Sequence, residues 1–184
     1  MNVRREHYAQ TEAMSCGAAA LMCALVELGC THYATGLGGL SISHHSEREI
    51  YRVISSPLPY FKTPGYSLPP QIARYAIELG LGAVCYVPRN FLNNTLSAFY
   101  ANIRPELESL GVEVVDDSMP LLQRNQRALR VVRRLVIGLH WILIRPDTSW
   151  MDPDGGKEHT FFLNTVPEIY PGDTGISLVL TRQS

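Results

Sequence analysis

Gln10 and Cys16 lie six residues apart, and Cys16 opens an apolar stretch of the 184-residue sequence. A cysteine attacks a carbonyl as its thiolate, a form that the unpaired N–H groups in the first turn of a helix stabilise. The oxyanion that results needs hydrogen-bond donors, which a backbone N–H and a side-chain amide can supply. The pair therefore predicts a thiol nucleophile, Cys16, with an oxyanion hole made by its own N–H and the Gln10 carboxamide.

A helix over 16–28 is expected to hold Cys16, because the alanine- and leucine-rich run that follows it has a high helix propensity. Ser15 stands at the N-cap position, and Gly29 is suited to ending the helix. Gly17 is expected to leave space beside the sulfur. The alternative is that Cys16 is an ordinary buried thiol, a common environment for a free cysteine.

His140 is the histidine best placed in the sequence to act as the base. It lies in an apolar run over 136–144 that is typical of a strand buried on both faces, where a histidine does not serve solubility. Residues 145–149 predict a turn, so the following strand should bring Asp152 back beside His140. Asp152 would then hold one ring nitrogen while the other takes the Cys16 proton. The alternatives are a core histidine and a turn aspartate.

His159 is the competing candidate for the base. It lies in a predicted strand over 159–164, and Asn164 follows it as a possible orienting amide. Residues five apart on a regular strand point to opposite faces and lie about 17 Å apart. Asn164 therefore cannot orient His159, and His140 is preferred.

Three segments together resemble a known group of enzymes. Residues 10–21, 140–144 and 152–155 are similar to the papain-like cysteine peptidases that trim double-glycine leader peptides from bacteriocin precursors. The order of predicted elements between them, helices over 46–54 and 70–79 and then a strand over 83–87, also follows that group. More distantly, the segment from Gln10 to Cys16 is similar to phytochelatin synthases and papain-like deamidases.

The resemblance implies an α+β, papain-like fold in which an N-terminal helical part packs on a C-terminal antiparallel sheet. It assigns Gln10 to the oxyanion hole, Cys16 to the nucleophile, His140 to the base and Asp152 to the third position. The chain is expected to form one domain over 1–184, with an unrecognised insertion near 88–134.

That insertion is predicted to contain helices near 91–100 and over 121–134. In the second, basic residues recur at helical spacing and indicate a solvated helix face, with an anionic-substrate clamp as the alternative. These basic residues are Arg124, Arg127, Arg130, Arg133 and Arg134.

The residues favour acyl transfer from a peptide, or from a small amide or thioester, through a Cys16 thioester. A cysteine peptidase is the first hypothesis, because water is the second nucleophile in most enzymes of this kind. An amide-forming acyltransferase or transpeptidase, or a glutamine deamidase, would use the same four residues. From another class, the chain could be a catalytically silent peptide-binding module.

Composition narrows the remaining classes of function. With 46% hydrophobic residues, the chain can bury a substantial core. A net charge of −1 without a long basic run argues against nucleic acid as the main partner, and no run reaches transmembrane length. We expect no membrane partner, no metal and no cofactor, and residence in the cytoplasm; the oligomeric state is left open. Free thiols are expected at all four cysteines, which lack paired metal-ligand spacing: Cys16, Cys23, Cys30 and Cys85.

Overall fold

The structure, a computed structural model, describes residues 5–33, 38–57, 64–88, 103–133, 138–160, 170 and 172–183. The described residues form four helices: α1 (Cys16–Glu27), α2 (His44–Ile54), α3 (Pro69–Glu78) and α4 (Ile103–Ser109). They also form nine strands: β1 (Ser55–Pro57), β2 (Pro64–Ser67), β3 (Leu81–Tyr86), β4 (Glu113–Val115), β5 (Gln126–Arg133), β6 (Leu139–Ile144), β7 (Trp150–Asp152), β8 (Lys157–His159) and β9 (Gly172–Arg182).

The strands form one large sheet and one small one. The large sheet has the order β4-β3-β9-β5-β6-β7-β8 and is antiparallel throughout except for the β3–β4 pair. Strands β1 and β2 pair with each other as an antiparallel ribbon. The described residues therefore form a mixed α+β fold, as the sequence predicts.

Helix α1 forms the centre of the core. Alanines and leucines occupy most of its first nine positions, and the residues from Cys16 to Leu25 are all buried. It ends at Glu27, and Gly29 follows with φ +82°, a left-handed conformation that favours glycine after a helix. The helix packs against β6 and against α2, so its N-terminal residue lies beside a strand of the sheet.

The two faces of the sheet bury different side chains. One face of the sheet packs against the helices. The side chains that join the core around α1 on this face include those of Leu129, Leu143 and Met151. On the opposite face, a smaller apolar cluster forms around the buried ring of Trp150. Its other members are Ala128, Val132, Ile142, Ile144, Tyr170 and Val179.

The predicted helix over 121–134 is wrong, because residues 126–133 form β5 between β9 and β6. Strand alternation sends Arg127 to the helix face, where its side chain is 1% exposed and pairs with the buried carboxylate of Glu27. Arg130 turns to the opposite face and pairs with Asp173. The helical spacing of the arginines was a coincidence, and no solvated helix face exists there.

The strand predicted over 83–87 corresponds to β3, and the strand predicted after the 145–149 turn corresponds to β7. The strand predicted over 159–164 coincides with the structure only at His159, where β8 ends; residue 160 lies outside a strand, and residues 161–164 lie outside the described ranges. The predicted helix near 91–100 lies outside the described residues. No helix in the described ranges is long and apolar enough to cross a membrane.

Candidate active site

Cys16 is the first residue of α1 and is 6% exposed. The first helical hydrogen bond runs from the N–H of Ala19 to the carbonyl of Ser15, at 2.9 Å. The N–H of Cys16 precedes this bond, so it belongs to the end of the helix where backbone donors have no acceptor within the helix. The thiol and a backbone donor thus meet at the positive end of the α1 dipole.

Ser15 occupies the N-cap position, as predicted, but its side chain does not cap the helix. Its hydroxyl donates to the carboxylate of Glu47 and to the carbonyl of Glu12. The start of α1 is therefore fixed by a carboxylate from another helix rather than by its own N-cap hydroxyl.

Gly17 does not leave open space, contrary to the sequence expectation. A Cβ built on it would lie 2.7 Å from Cβ of Ser67 and 3.0 Å from Cδ1 of Trp141. The glycine allows β2 to approach the start of α1, and the Trp141 indole N–H holds β2 there by donating to the Ser67 carbonyl at 2.8 Å.

His140 and Asp152 are brought together by the β6–β7 hairpin. The turn closes through a hydrogen bond from the Arg145 N–H to the Ser149 carbonyl and one from the Thr148 N–H to the Arg145 carbonyl, and the two strands pair antiparallel, as the sequence predicts. Nε2 of His140 donates to Oδ1 of Asp152 at 2.7 Å, and both side chains are buried. Nδ1 is then the ring nitrogen available to a third group.

That third group is Cys16, which lies close enough to the His140 ring to be one of the groups that raise its pKa. Burial alone would lower the pKa of His140. The hydrogen bonds with Asp152 and Cys16, together with the negative charges of both groups, instead raise the pKa of His140 from 6.5 to about 9. The arrangement therefore favours an imidazolium at neutral pH beside a thiol at a helix N-terminus.

Tyr170 is a member of the site that sequence reasoning missed. Its hydroxyl donates to Oδ2 of Asp152 at 2.5 Å, while the N–H of Asp154 donates to Oδ1 at 2.8 Å. The Tyr170 ring also contacts the His140 ring, with centroids 5.5 Å apart. No spacing in the sequence signals this contact, because Tyr170 lies just before β9 and reaches Asp152 only through the tertiary fold.

Gln10 lies next to the site, but its side chain is engaged locally. Its Nε2 donates to the Glu12 carbonyl at 2.9 Å and to the Ala13 carbonyl at 3.4 Å. Its Oε1 is buried, and no hydrogen-bond partner for it is found among the described residues. To act on an oxyanion, the amide must release at least one of the two carbonyls.

Glu47 is the second residue that sequence reasoning missed. This fully buried carboxylate accepts hydrogen bonds from the hydroxyls of Tyr8, Thr11 and Ser15 and from the Thr11 backbone N–H. Burial, and then the Glu47 carboxylate, raise the pKa of Tyr8 well above its usual value. In the sequence, Glu47 looks like an ordinary acidic residue in the first turn of α2, which explains why it attracts no notice.

His159 lies away from this arrangement. It is on β8, opposite Trp150, and the two rings stack with centroids 4.0 Å apart. The partner of His159 is thus the indole of Trp150, whereas the partner of His140 is the Asp152 carboxylate.

The remaining cysteines lie in different environments. Burial raises the pKa of Cys85 to about 12 and raises the pKa of Cys23 and Cys30 as well. All four cysteines are free thiols. Within the described ranges, no group of three or more His, Cys, Asp and Glu side chains is arranged to hold a metal ion.

The part of the chain that contains Cys16, His140 and Asp152 matches known proteins. A family model described as invasion plasmid antigen J, cysteine protease, matches residues 8–183. Cysteine protease IpaJ of Shigella flexneri is 32% identical over 167 residues, which cover 80% of this chain. The same region covers 64% of the relative, so the chain spans less than two thirds of that protein's length. The resemblance to double-glycine leader peptidases stays a prediction.

Proposed function

The chain belongs to the IpaJ cysteine protease family, and from that premise we propose that it is itself a cysteine peptidase acting through a Cys16 thioester. One observation carries the proposal: the buried His140 ring is hydrogen-bonded to Asp152 and has Cys16 among the groups that raise its pKa. A nucleophile, a base and a group that orients the base are the parts that thiol catalysis requires.

In the resting site the Cys16 proton is held on Nδ1 of His140, and in the first half of the reaction the thiolate attacks the substrate carbonyl carbon. The negative charge that develops on the carbonyl oxygen is held by the Cys16 N–H, with Gln10 as the second donor. The carbon–nitrogen bond then breaks, and His140 returns the proton to the leaving amine. The acyl group stays on sulfur as a thioester.

In the second half, water attacks the thioester carbonyl. His140 accepts a proton from that water, the carbon–sulfur bond breaks, and the proton stays on His140 beside the departing thiolate. The carboxylic acid leaves, and the enzyme returns to its starting state. Throughout the cycle, Asp152 holds Nε2 of His140 and stabilises the imidazolium, so Nδ1 stays directed at the sulfur.

The location of the groups supports a papain-like assignment for the fold. The nucleophile begins a buried helix, whereas the base and its orienting carboxylate come from two paired strands of the sheet. A helix and a sheet that meet in this way leave the substrate to bind between them, at the N-terminal end of α1.

The test is incubation of the purified chain with a peptide library, with mass spectrometry of both products and protein. The wild type should release cleaved peptides and carry an acyl group on Cys16 during turnover. Cys16→Ala and His140→Ala should release no product, while Asp152→Asn should be intermediate because it disturbs orientation and tautomer. Cys30→Ala, which removes a half-buried free thiol outside the site, is the matched control and should keep full activity.

The products also separate the alternatives. New peptide carboxylates identify a peptidase, new amides identify an acyltransferase, and conversion of glutamine to glutamate identifies a deamidase. If Cys16→Ala bound and released peptides as the wild type does, with no cleavage or adduct in either, the peptidase proposal would be wrong and a binding module would be the correct class.

A further inference from the structure

Tyr170 occupies a buried position beside the candidate base and is 6% exposed. Its ring is tilted by 35° against the His140 imidazole, at a centroid distance of 5.5 Å. Its edge faces Trp150 at 6.3 Å and 64°. The ring is therefore packed on two sides, and the phenol is aimed at Oδ2 of Asp152.

The contacts of Asp152 show what this hydroxyl adds. Oδ1 accepts from Nε2 of His140 and from the N–H of Asp154, and Oδ2 accepts from Tyr170. With both oxygens engaged, the carboxylate cannot rotate without breaking hydrogen bonds, so Oδ1 stays in line with the His140 ring. Hydrogen bonds to a carboxylate are roughly twice as strong as neutral ones.

We propose that Tyr170 is a positioning residue of the thiol site, which acts through Asp152 to keep His140 protonated and directed at Cys16. The inference rests on the proposed function, because it assigns a role within the same site. It also adds a further side chain to the site, one whose hydroxyl acts through the Asp152 carboxylate.

The titratable groups around this position come from several elements. His140 faces Asp152 from β6, and Cys16 faces His140 from α1. Asp154 contributes its backbone N–H from the turn after β7, and His159 of β8 stacks on the other neighbour of Tyr170, Trp150. Within the part of the chain that the structure describes, the hydroxyl of Tyr170 is thus one of three donors to the carboxylate of Asp152.

Removal of the hydroxyl should change how the site responds to pH. Without it, the Asp152 carboxylate loses one of the hydrogen bonds that hold Oδ1 against the His140 ring. A less firmly held Asp152 stabilises the imidazolium of His140 less strongly. The thiolate of Cys16 then has a weaker counter-charge. The rate of Cys16 alkylation should therefore fall first at acidic pH.

The experiment measures the rate of Cys16 alkylation by iodoacetamide from pH 4 to 9, read by mass spectrometry of the Cys16 peptide. In Tyr170→Phe, which keeps the packed ring, the pH of half-maximal rate should rise by about one unit. Tyr75→Phe is the matched control, because it removes the hydroxyl of a tyrosine in α3 that is 1% exposed. It should leave that pH unchanged, even if it lowers stability.

The outcomes separate the two proposals. If the wild type shows fast alkylation at acidic pH and Tyr170→Phe has the same profile, the positioning role is wrong and the peptidase proposal stands. If the wild type itself alkylates Cys16 no faster than an ordinary thiol, the proposed function fails at its first step. If Tyr170→Phe does not fold, 3-fluorotyrosine at position 170 serves as the second variant, because its hydroxyl is a stronger donor. The pH of half-maximal alkylation should then fall, and an unchanged value would overturn the positioning role of Tyr170.

Discussion

The backbone N–H of Gln10 donates to the carbonyl oxygen of Pro153 at 2.8 Å. This bond joins the segment that leads to the nucleophile with the residue that follows Asp152. A second contact lies beside it: a Cβ on Gly156, whose φ is +64°, would lie 2.7 Å from the backbone nitrogen of Ala9. The two sides of the candidate site are therefore held together by backbone packing at the end of the β7–β8 hairpin.

The first prediction tests this packing with two adjacent glycines. Gly156→Ala should lower activity strongly, because the new methyl group must push the segment carrying Gln10 away from Pro153. Gly155→Ala is the control: its φ of +90° is also strained for alanine, but the nearest neighbour of the new methyl group is the flexible Lys157 side chain at 3.7 Å. Both variants should lose about 1 kcal/mol of stability from backbone strain, as urea unfolding measures.

A Gly156→Ala variant as active as Gly155→Ala would contradict this prediction. It would mean that the N-terminal segment can move without disturbing the site. The comparison is informative because both variants add one methyl group in the same turn, and only one of them meets the backbone of another segment.

The second prediction concerns the reactivity of the four thiols. Cys16 should alkylate rapidly at pH 6, since it lies at a helix N-terminus beside a protonated His140. Cys23 and Cys85 should react only on unfolding, because burial raises the pKa of each thiol and excludes the reagent. Quantitative mass spectrometry of each cysteine peptide measures this order, and equal labelling of all four at pH 6 would contradict it.

The third prediction concerns the ionisation of His140. Its pKa is raised to about 9, so the ring should stay protonated through neutral pH and lose its proton only in alkaline solution. NMR titration of the imidazole should show this midpoint, and activity should fall above it because the imidazolium that protonates the leaving amine is lost. Asp152→Asn should lower the midpoint, since it removes a negative charge and a hydrogen-bond acceptor. A His140 that titrates near 6.5 in the wild type would contradict the pairing.

The fourth prediction concerns the buried carboxylate of Glu47. Glu47→Gln places an amide NH₂ against several donors and leaves buried groups unpaired, each at a cost of about 1–3 kcal/mol. We expect a loss of roughly 2–4 kcal/mol in urea unfolding, together with lower activity, because the Thr11 and Ser15 contacts fix the start of α1. Glu49→Gln is the control from the same helix; its exposed pairing with Arg52 should be worth at most about 1 kcal/mol. Equal stability of the two variants would show that Glu47 does not anchor α1.

Local sequence patterns predicted the parts of the site that are close in the chain. The apolar run, the turn and Asp152 were enough to predict the hairpin that pairs Asp152 with His140, because strand pairing across a short turn is a local property. The start of α1 at Cys16 was also predictable, because the helix propensity of the run that follows it is a local property of the sequence.

The parts that could not be predicted depend on contacts between distant segments. Arg127 looked like part of a solvated helix, since nothing in its neighbourhood shows that Glu27 neutralises it across the core. Tyr170 reaches Asp152, and Glu47 reaches Ser15, only after the elements have packed. Single residues without a pattern around them acquire their partners from the tertiary fold.

The last prediction concerns Gln10, whose amide now donates to two backbone carbonyls. If the amide also serves as an oxyanion donor, Gln10→Ala should lower kcat by about 10²–10³ while Cys16 alkylation and stability change little. If it only holds the turn at Glu12 and Ala13, the variant should lose stability and alkylate Cys16 more slowly, with a smaller effect on kcat. Gln71→Ala, which removes a partly buried amide from α3, is the control and should leave kcat unchanged. Combined measurement of kcat, alkylation rate and unfolding therefore decides between a chemical and a structural role for the residue that precedes the nucleophile by six positions.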